Sequence, residues 1–366
     1  MDEILKTLLL LNSAGADIRV WRQMRESGVS LCRLLSDDIE KLKSEYSLTE
    51  RAVLKIRENN SSDWAEREYE KVLSLGADVT TCDDEWYPES LFDLKDAPLI
   101  LYVKGSVKIL KCRTVGVVGT RRSTAYGKDT ARRIGRNCAI AHRTLISGGA
   151  AGIDSFAHIG VCEAGGETAA VFGTGIDVLY PASNAPLFEQ IAEHGALITE
   201  FPTGSGAEAW RFPRRNRIVA ALSERLIVAE APQKSGAMIT AKLALDLGRE
   251  VWAVPGRIDQ DVTSGSNRLI FDGAYPYISD DVFFQLNNRQ QSLFDNYITE
   301  NRADIENLSP DESVVLKAMW NKSSQTVDNL ADEVKMSAAC ILKIIAILSA
   351  KGMIYTSGPG RFSAKV

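Results

Sequence analysis

TVGVVGTRRSTAYG, Thr114 to Gly127, decides how the chain is read. It opens with a short apolar run of the buried-strand type. A polar, glycine-bounded loop then leads into a helical stripe at Ala131, Ile134, Cys138 and Ala141. The same unit recurs downstream: TLISG, TAAVFG, ALITE, RLIVAEA and EVWAVPG are further strand-like runs. Between them, SFAHIGVCEAG, LFEQIAEHG, IVAALS and AMITAKLALDLG have helical character. Regular strand–helix alternation predicts an α/β fold with a mostly parallel sheet and helices on both faces. In such sheets ligands bind at the carboxyl ends of the strands, so the loops there are the candidate site.

Those loops are rich in glycine: GTRRSTAYG after Val118, SGGAAGID after Ile146, GTGIDVLYP after Phe172, EAPQKSGAMIT after Val228 and VPGRID after Ala253. Glycine lets backbone amides approach a phosphate, and several of these loops open into a helix whose positive end faces the ligand. Arg121 and Arg122 stand in the first loop, Gly148 and Gly149 in the second, and Lys234, Ser235 and Gly236 in the fourth. EFPTGSG leads into RFPRRNR, Arg211 to Arg217, which gathers Arg211, Arg214, Arg215 and Arg217 around Phe212 and Asn216 with no acid among them. Guanidinium forks suit phosphate oxygens, a phenyl face suits an unstacked base, and the amide of Asn216 offers both a donor and an acceptor. The competing reading is a basic loop paired with acids elsewhere. Asn216 and Arg217 in particular also fit a helix cap or a brace for a neighbouring loop.

Charge is local rather than global. The 366 residues carry 43 Lys and Arg against 48 Asp and Glu, a formal net charge of −5. This disfavours a protein that coats duplex over its whole surface and leaves room for one basic groove. Arg132, Arg133 and Arg136 read as a solvated helix face, whereas Arg121 and Arg122 follow a strand directly and read as functional. The six cysteines are scattered, with no CxxC pair, so neither a disulfide framework nor a zinc site is expected. No apolar span or signal pattern is evident, and a soluble cytoplasmic protein without membrane contact is expected.

The flanks differ from this core. Residues 1–70 read as a small helical module of SAM-like or helix-hairpin-helix-like type, and 71–285 as the α/β domain. A linker is expected over 286–308, with Phe283, Phe284 and Phe294 docking back on the sheet. Residues 309–366 read as a winged helix: three helices from SVVLKAMW, TVDNLADEV and SAACILKIIAILSAKG, then a two-stranded wing turning at 358–360. The third helix offers few base-reading side chains, which favours protein contact or weak backbone binding over sequence-specific duplex recognition.

The ordered set GTRRSTAYG, SGGAAGID, GTGIDVLYPASN, FPRRNRIVAALS, EAPQKSGAMITAKLAL and VPGRIDQDVTSGSNRLIFDGA resembles the DNA-processing protein A (DprA, or Smf) family over about Asp78 to Ser279. The resemblance implies an extended Rossmann-like domain that binds single-stranded DNA as a homodimer and loads RecA during natural transformation. By motif it assigns Gly119, Thr120 and Arg121 to the first phosphate loop. Phe212, Arg215, Asn216 and Arg217 fall in the central motif, and Lys234, Ser235 and Gly236 in the third. The chain departs from the family's usual pattern at Thr120, which keeps a hydroxyl, and at Ala237, which loses one. Arg122, Gly148, Gly149 and Arg214 complete the expected single-stranded DNA site.

No cofactor or metal is expected, and no enzyme. GxGxxG is absent after the first strand, and no GxxxxGK[ST] loop occurs. Ser147, Asp154 and His158 are close in sequence but lack a GxSxG elbow, and Asp154 more simply caps a helix. The alternative class is a nucleotide-binding phosphoribohydrolase of related fold. There Glu200 or Glu230, at strand ends, would hold a ribose or metal; the first expectation for both is pairing with the arginines.

Overall fold

A computed structural model of the protein describes residues 1–284, 308–320, 325–351, 353–358 and 361–364. The chain divides into two compact units, Met1–Phe284 and Gln285–Val366. The first opens with six helices, α1 (Glu3–Ser13), α2 (Ile18–Glu26), α3 (Leu31–Ser36), α4 (Ile39–Tyr46), α5 (Glu50–Ser61) and α6 (Trp64–Ser74). Side-chain caps start several of them: Asp2, Asp17, Asp38 and Thr49 each accept a first-turn amide, meeting donors that a helix end leaves open. Leu8 to Leu11 of α1 are fully buried.

These helices belong to the same compact unit as the sheet. Buried Glu68 accepts the Thr203 amide at 2.7 Å and its hydroxyl at 2.6 Å. Asn12 donates to the Glu200 carbonyl, and Lys71 pairs with Asp177.

The sheet has nine strands: β1 (Asp78–Thr81), β2 (Ile100–Gly105), β3 (Thr114–Val118), β4 (Thr144–Ser147), β5 (Thr168–Val171), β6 (Ala196–Thr199), β7 (Arg225–Val228), β8 (Glu250–Ala253) and β9 (Tyr275–Pro276). Their order is β1-β2-β6-β5-β4-β3-β7-β8-β9. The seven from β6 to β9 run parallel, and β2 and β1 continue the sheet antiparallel. Strands β3 to β6 are buried at every residue, as their unbroken apolar runs require. The connecting helices are α7 (Ala125–Ile140), α8 (Ile153–Glu163), α9 (Ala185–His194), α10 (Arg211–Leu222), α11 (Gly236–Asp246) and α12 (Ser264–Phe271), with α13 (Asp280–Phe284) after β9. This is the mostly parallel, Rossmann-like α/β architecture expected from the alternation.

From β3 the chain steps outward to β4, β5 and β6. It then returns through α10 to place β7 on the other side of β3. The order reverses between β3 and β7, and right-handed crossovers put α7 to α9 on one face and α11 on the other. A crevice opens at such a reversal, outside the strand ends. Helices α7 and α8 pack backbone to backbone, because a Cβ on Gly135 would run into the Ala157 carbonyl and one on Gly160 into that of Arg132. Phe283 and Phe284 are buried, and Phe283 packs edge-on to Trp252. Phe294 and residues 286–307 of the expected linker lie outside the described residues.

The second unit holds α14 (Pro310–Trp320), β10 (Gln325–Thr326), α15 (Val327–Val334), α16 (Ala338–Ala350), β11 (Ile354–Gly358) and β12 (Arg361–Ala364). Its strands are antiparallel in the order β10-β12-β11. Val315, Met319, Leu330, Ile341 and Leu348 form a separate core. Of the turn expected at 358–360, residues 359 and 360 lie outside the described residues.

Candidate nucleic-acid interface

The crevice between β3 and β7 is a cleft of about 710 Å³. It is walled by the loop after β3, the loop after β4, the first turns of α10 and the Lys234 turn before α11. Each wall is built by a specific local arrangement.

The loop after β3 is held from below by Glu230. This buried carboxylate accepts from the Thr124 amide at 2.9 Å and from its hydroxyl at 2.5 Å, and the Glu230 carbonyl accepts the Thr120 amide at 2.7 Å. Gly127 makes room for it, since a Cβ there would collide with the carboxylate. Thr120 turns its hydroxyl inward to the Arg122 amide. The result is a fixed loop with Arg121 and Arg122 exposed above it. The pairing expected between Glu230 and arginines gives way to a loop brace.

The arginine motif is helical throughout rather than a loop before a helix. Pro213 sits in the first turn of α10, where its missing N–H would have no intrahelical partner. Helical spacing therefore sorts the motif. Phe212, Arg215 and Asn216 face the cleft, while Arg211 and Arg214 face away from it. Phe212 is half-buried under Arg121, whose guanidinium lies 5.3 Å from the ring centre, and beside Tyr180 at 5.4 Å. A Cβ on Gly173 would come within 2.9 Å of the Phe212 ring, so glycine seats it.

Arg215 does not reach the surface. Its guanidinium donates to the Gly148 carbonyl at 2.6 Å and to the Val171 carbonyl, tying the loop after β4 to β5. Burial lowers it to about 10, so it stays charged, opposite Asp154. Asp154 is buried too. Burial raises its carboxyl and Arg215 pulls it back, and it accepts the Gly148 amide at 3.1 Å and that of Ala150 at 3.4 Å. The helix-capping role expected for Asp154 is replaced by bracing of the glycine loop. A Cβ on Gly148 would fall 2.7 Å from Asp154 and against Arg215, which restricts the position to glycine.

Arg217 is likewise buried. It is committed to Glu200, at 2.5 Å, and to Asp96, at 3.2 Å. Arg214 lies 3.4 Å from the same Glu200, so the expected arginine partnership of Glu200 is found. Asn216 lines the cleft and donates to the Gly236 carbonyl at 3.3 Å, joining α10 to the start of α11. Lys234 and Gly236 are exposed at that start. Ser235 caps no amide and its hydroxyl lacks a partner, so the α11 N-terminus presents free donors to an anion. Gly149 sits in a left-handed turn at φ +66°, and a Cβ there would meet the Phe188 ring at 2.8 Å.

Three side groups missed in the sequence matter here. Tyr180 extends the aromatic floor, and an aromatic at the end of the glycine-rich GTGIDVLYP loop was the available signal. Thr124, which also caps α7, and Asn184, which donates to the Gly149 carbonyl, set loop shape; both lie in the quoted motifs, and a threonine ahead of a helical stripe was the signal for the cap. Ser147 is bonded to the Val117 carbonyl, and His158 to Thr168 rather than Asp154. Arg132 and Arg136 pair with Glu163, and Arg133 with Asp280. Among the described residues Arg121, Arg122 and Lys234 have no such partner.

A family model described as DNA recombination-mediator protein A matches residues 78–287. The chain belongs to the DNA recombination-mediator protein A family. It is 34% identical over 290 residues to Protein Smf of Synechocystis, covering 74% of this chain and 72% of that one. It is 32% identical over 326 residues to a putative DNA processing protein DprA of Mycobacterium tuberculosis, covering 83% of each. Among solved structures, DprA of Streptococcus pneumoniae superposes with a TM-score of 0.65 at 29% identity, covering 77% of this chain and 98% of that one. DprA of Helicobacter pylori, whose structure describes a single-stranded DNA binding mode, gives 0.52 at 30% identity, covering 57% and 94%. Among the described residues no helix is long and apolar enough to cross a membrane.

Proposed function

We propose that this family member is a non-enzymatic, single-stranded DNA-binding recombination mediator whose strand lies in the cleft at the β3–β7 crevice. The observation that carries the reading is the exposed, unpaired set Arg121, Arg122 and Lys234 around the half-buried ring of Phe212. Phosphates sit on these cations and on the α11 amides, and a base stacks at Phe212 and Tyr180. Gly119 and Gly148 keep the backbone close, Thr120 and Ser235 complete the loop ends, and no base edge is read, so sequence preference is weak. The single-stranded DNA binding described for the Helicobacter pylori relative supports the class of ligand. The phosphoribohydrolase alternative has less support, because Glu230 is buried under Thr124 and Glu200 under two arginines.

The finer parts of the reading are RecA loading during natural transformation, a homodimer and a cytoplasmic site of action, all supported by family membership. The second unit acts as a winged helix in protein contact or weak backbone binding. Leu342 and Lys343 are exposed on its α16, in keeping with few base-reading groups.

Fluorescence anisotropy with labelled oligo-dT and a matched duplex, over a salt series, tests the core claim. Single strands are expected to win, and Phe212→Ala to cut affinity with the salt slope kept. Indifference to oligo-dT, or a duplex preference that ignores Arg121, Phe212 and Lys234, sinks it.

A further inference from the structure

The first turn of α10 separates two clefts. On the other side, Arg211 and Arg214 look into a polar cleft of about 750 Å³ between α10 and the N-terminal helices. Arg51 and Lys55 of α5 form its far wall, and Trp64 and Trp210 flank it. Arg51 and Lys55 are exposed and, among the described residues, have no ion partner. Trp210 is 52% exposed. The Nε atoms of Arg211 and Arg214 are buried without an acceptor. The two acids lining the cleft are occupied: Glu200 by Arg217 and Arg214, Glu208 by Arg211 at 2.9 Å and the Trp210 indole at 2.7 Å. What remains is cationic, with a half-exposed indole at its edge.

We propose that this cleft is a second track for the same single strand, which crosses the N-terminal turn of α10 and continues between α10 and α5. The inference rests on the reading of the first cleft as a single-stranded DNA groove. Two unpaired cations, Arg51 and Lys55, two more shared with acids, Arg211 and Arg214, and a half-exposed indole with Arg211 5.2 Å from its ring centre are groups that hold a nucleic-acid backbone and stack a base without reading sequence. Phe212 and Pro213 line one cleft while Arg211 and Arg214 line the other, so a strand leaving the first meets the second within about one helical turn. The N-terminal helices thereby acquire a ligand: the distal part of the bound strand.

The test is a ladder of labelled oligo-dT from about 6 to about 30 nucleotides, bracketing the site sizes of single-strand binders, with the full chain and its Arg51→Glu/Lys55→Glu variant. Wild type is expected to gain affinity in two stages. The double variant should bind the short oligonucleotides as wild type does and lose the second gain. With about 0.7 counterions released per phosphate, its salt slope on long oligonucleotides should be shallower by about 1.4. Long but not short strands should quench an emission component that Trp210→Phe removes. If the double variant keeps the full length-dependent gain, as it would were the gain due to a second copy of the chain, the inference is overturned. If wild type binds no length at all, the groove reading fails first and this one with it.

Discussion

The loop after β3 and the first turns of α10 each carry adjacent arginines, and they use them in opposite ways. Arg121 and Arg122 stand exposed on a loop whose shape is fixed from beneath by Glu230. Arg215 and Arg217 are buried and committed to Gly148, Val171, Glu200 and Asp96. The lesson is that the arginine motif is mostly scaffold. It positions the glycine loops, and the less conspicuous loop supplies the free charge.

Substitutions can break this contrast, the largest effect falling on the buried side. Arg215→Ala leaves Asp154 buried without its counter-charge and should cost about 3–5 kcal/mol of stability, read by denaturant or thermal unfolding. A wild-type melting temperature would show that Arg215 is not the brace described. Acid should reveal a second buried group. His158 is held down to about 3 by burial and by Arg215, below its unfolded value of about 6.5. The unfolded chain therefore binds more protons between these values. The stability this group contributes is present above about pH 6.5 and declines as pH falls toward about 3, by roughly 2 kcal/mol at pH 5. Comparing pH profiles of wild type and His158→Gln isolates it, and identical slopes would refute the assignment.

Glu230→Ala sharpens the comparison because two arguments disagree. Simple charge counting says that removing an anion near the groove tightens DNA binding. The brace says that the loop loosens, with about 1–3 kcal/mol of stability lost and weaker oligo-dT binding. Tighter binding by a folded variant would favour charge counting. On the exposed side Phe212→Ala should cost about 1–3 kcal/mol of binding, with the melting temperature nearly unchanged. Smallest are Arg121→Ala and Lys234→Ala, each expected to reduce the salt slope by about 0.7 on single strands at wild-type stability. A large drop in melting temperature for either would place it with the scaffold.

The order of strands and helices was legible because short apolar runs alternate with amphipathic ones, a pattern that local periodicity preserves. The cleft loops were legible for the same reason, since they follow strand ends. Which arginines are free was not. Arg215 meets Gly148 and Glu230 meets Thr124 across 67 and 106 residues, and no local spacing encodes such partners. The motif read as a basic loop is helical from Arg211, and Pro213 is at home in that first helical turn. The N-terminal helices read as a separate module because their periodicity changes near residue 70. Ties such as Glu68 to Thr203 join polar groups distant in sequence and leave no trace in hydrophobic pattern.

The backbone-to-backbone packing of α7 on α8 bears on how a flexible ligand is handled. Gly135 and Gly160 leave no room for a side chain between the two helices, so the loops in front of them, 119–124 and 148–152, are carried on one closely packed pair. The protein then behaves as a caliper. On the proposed groove reading, successive phosphates of a limp polymer take up the spacing of the two loops, and the entropy of ordering falls on the strand.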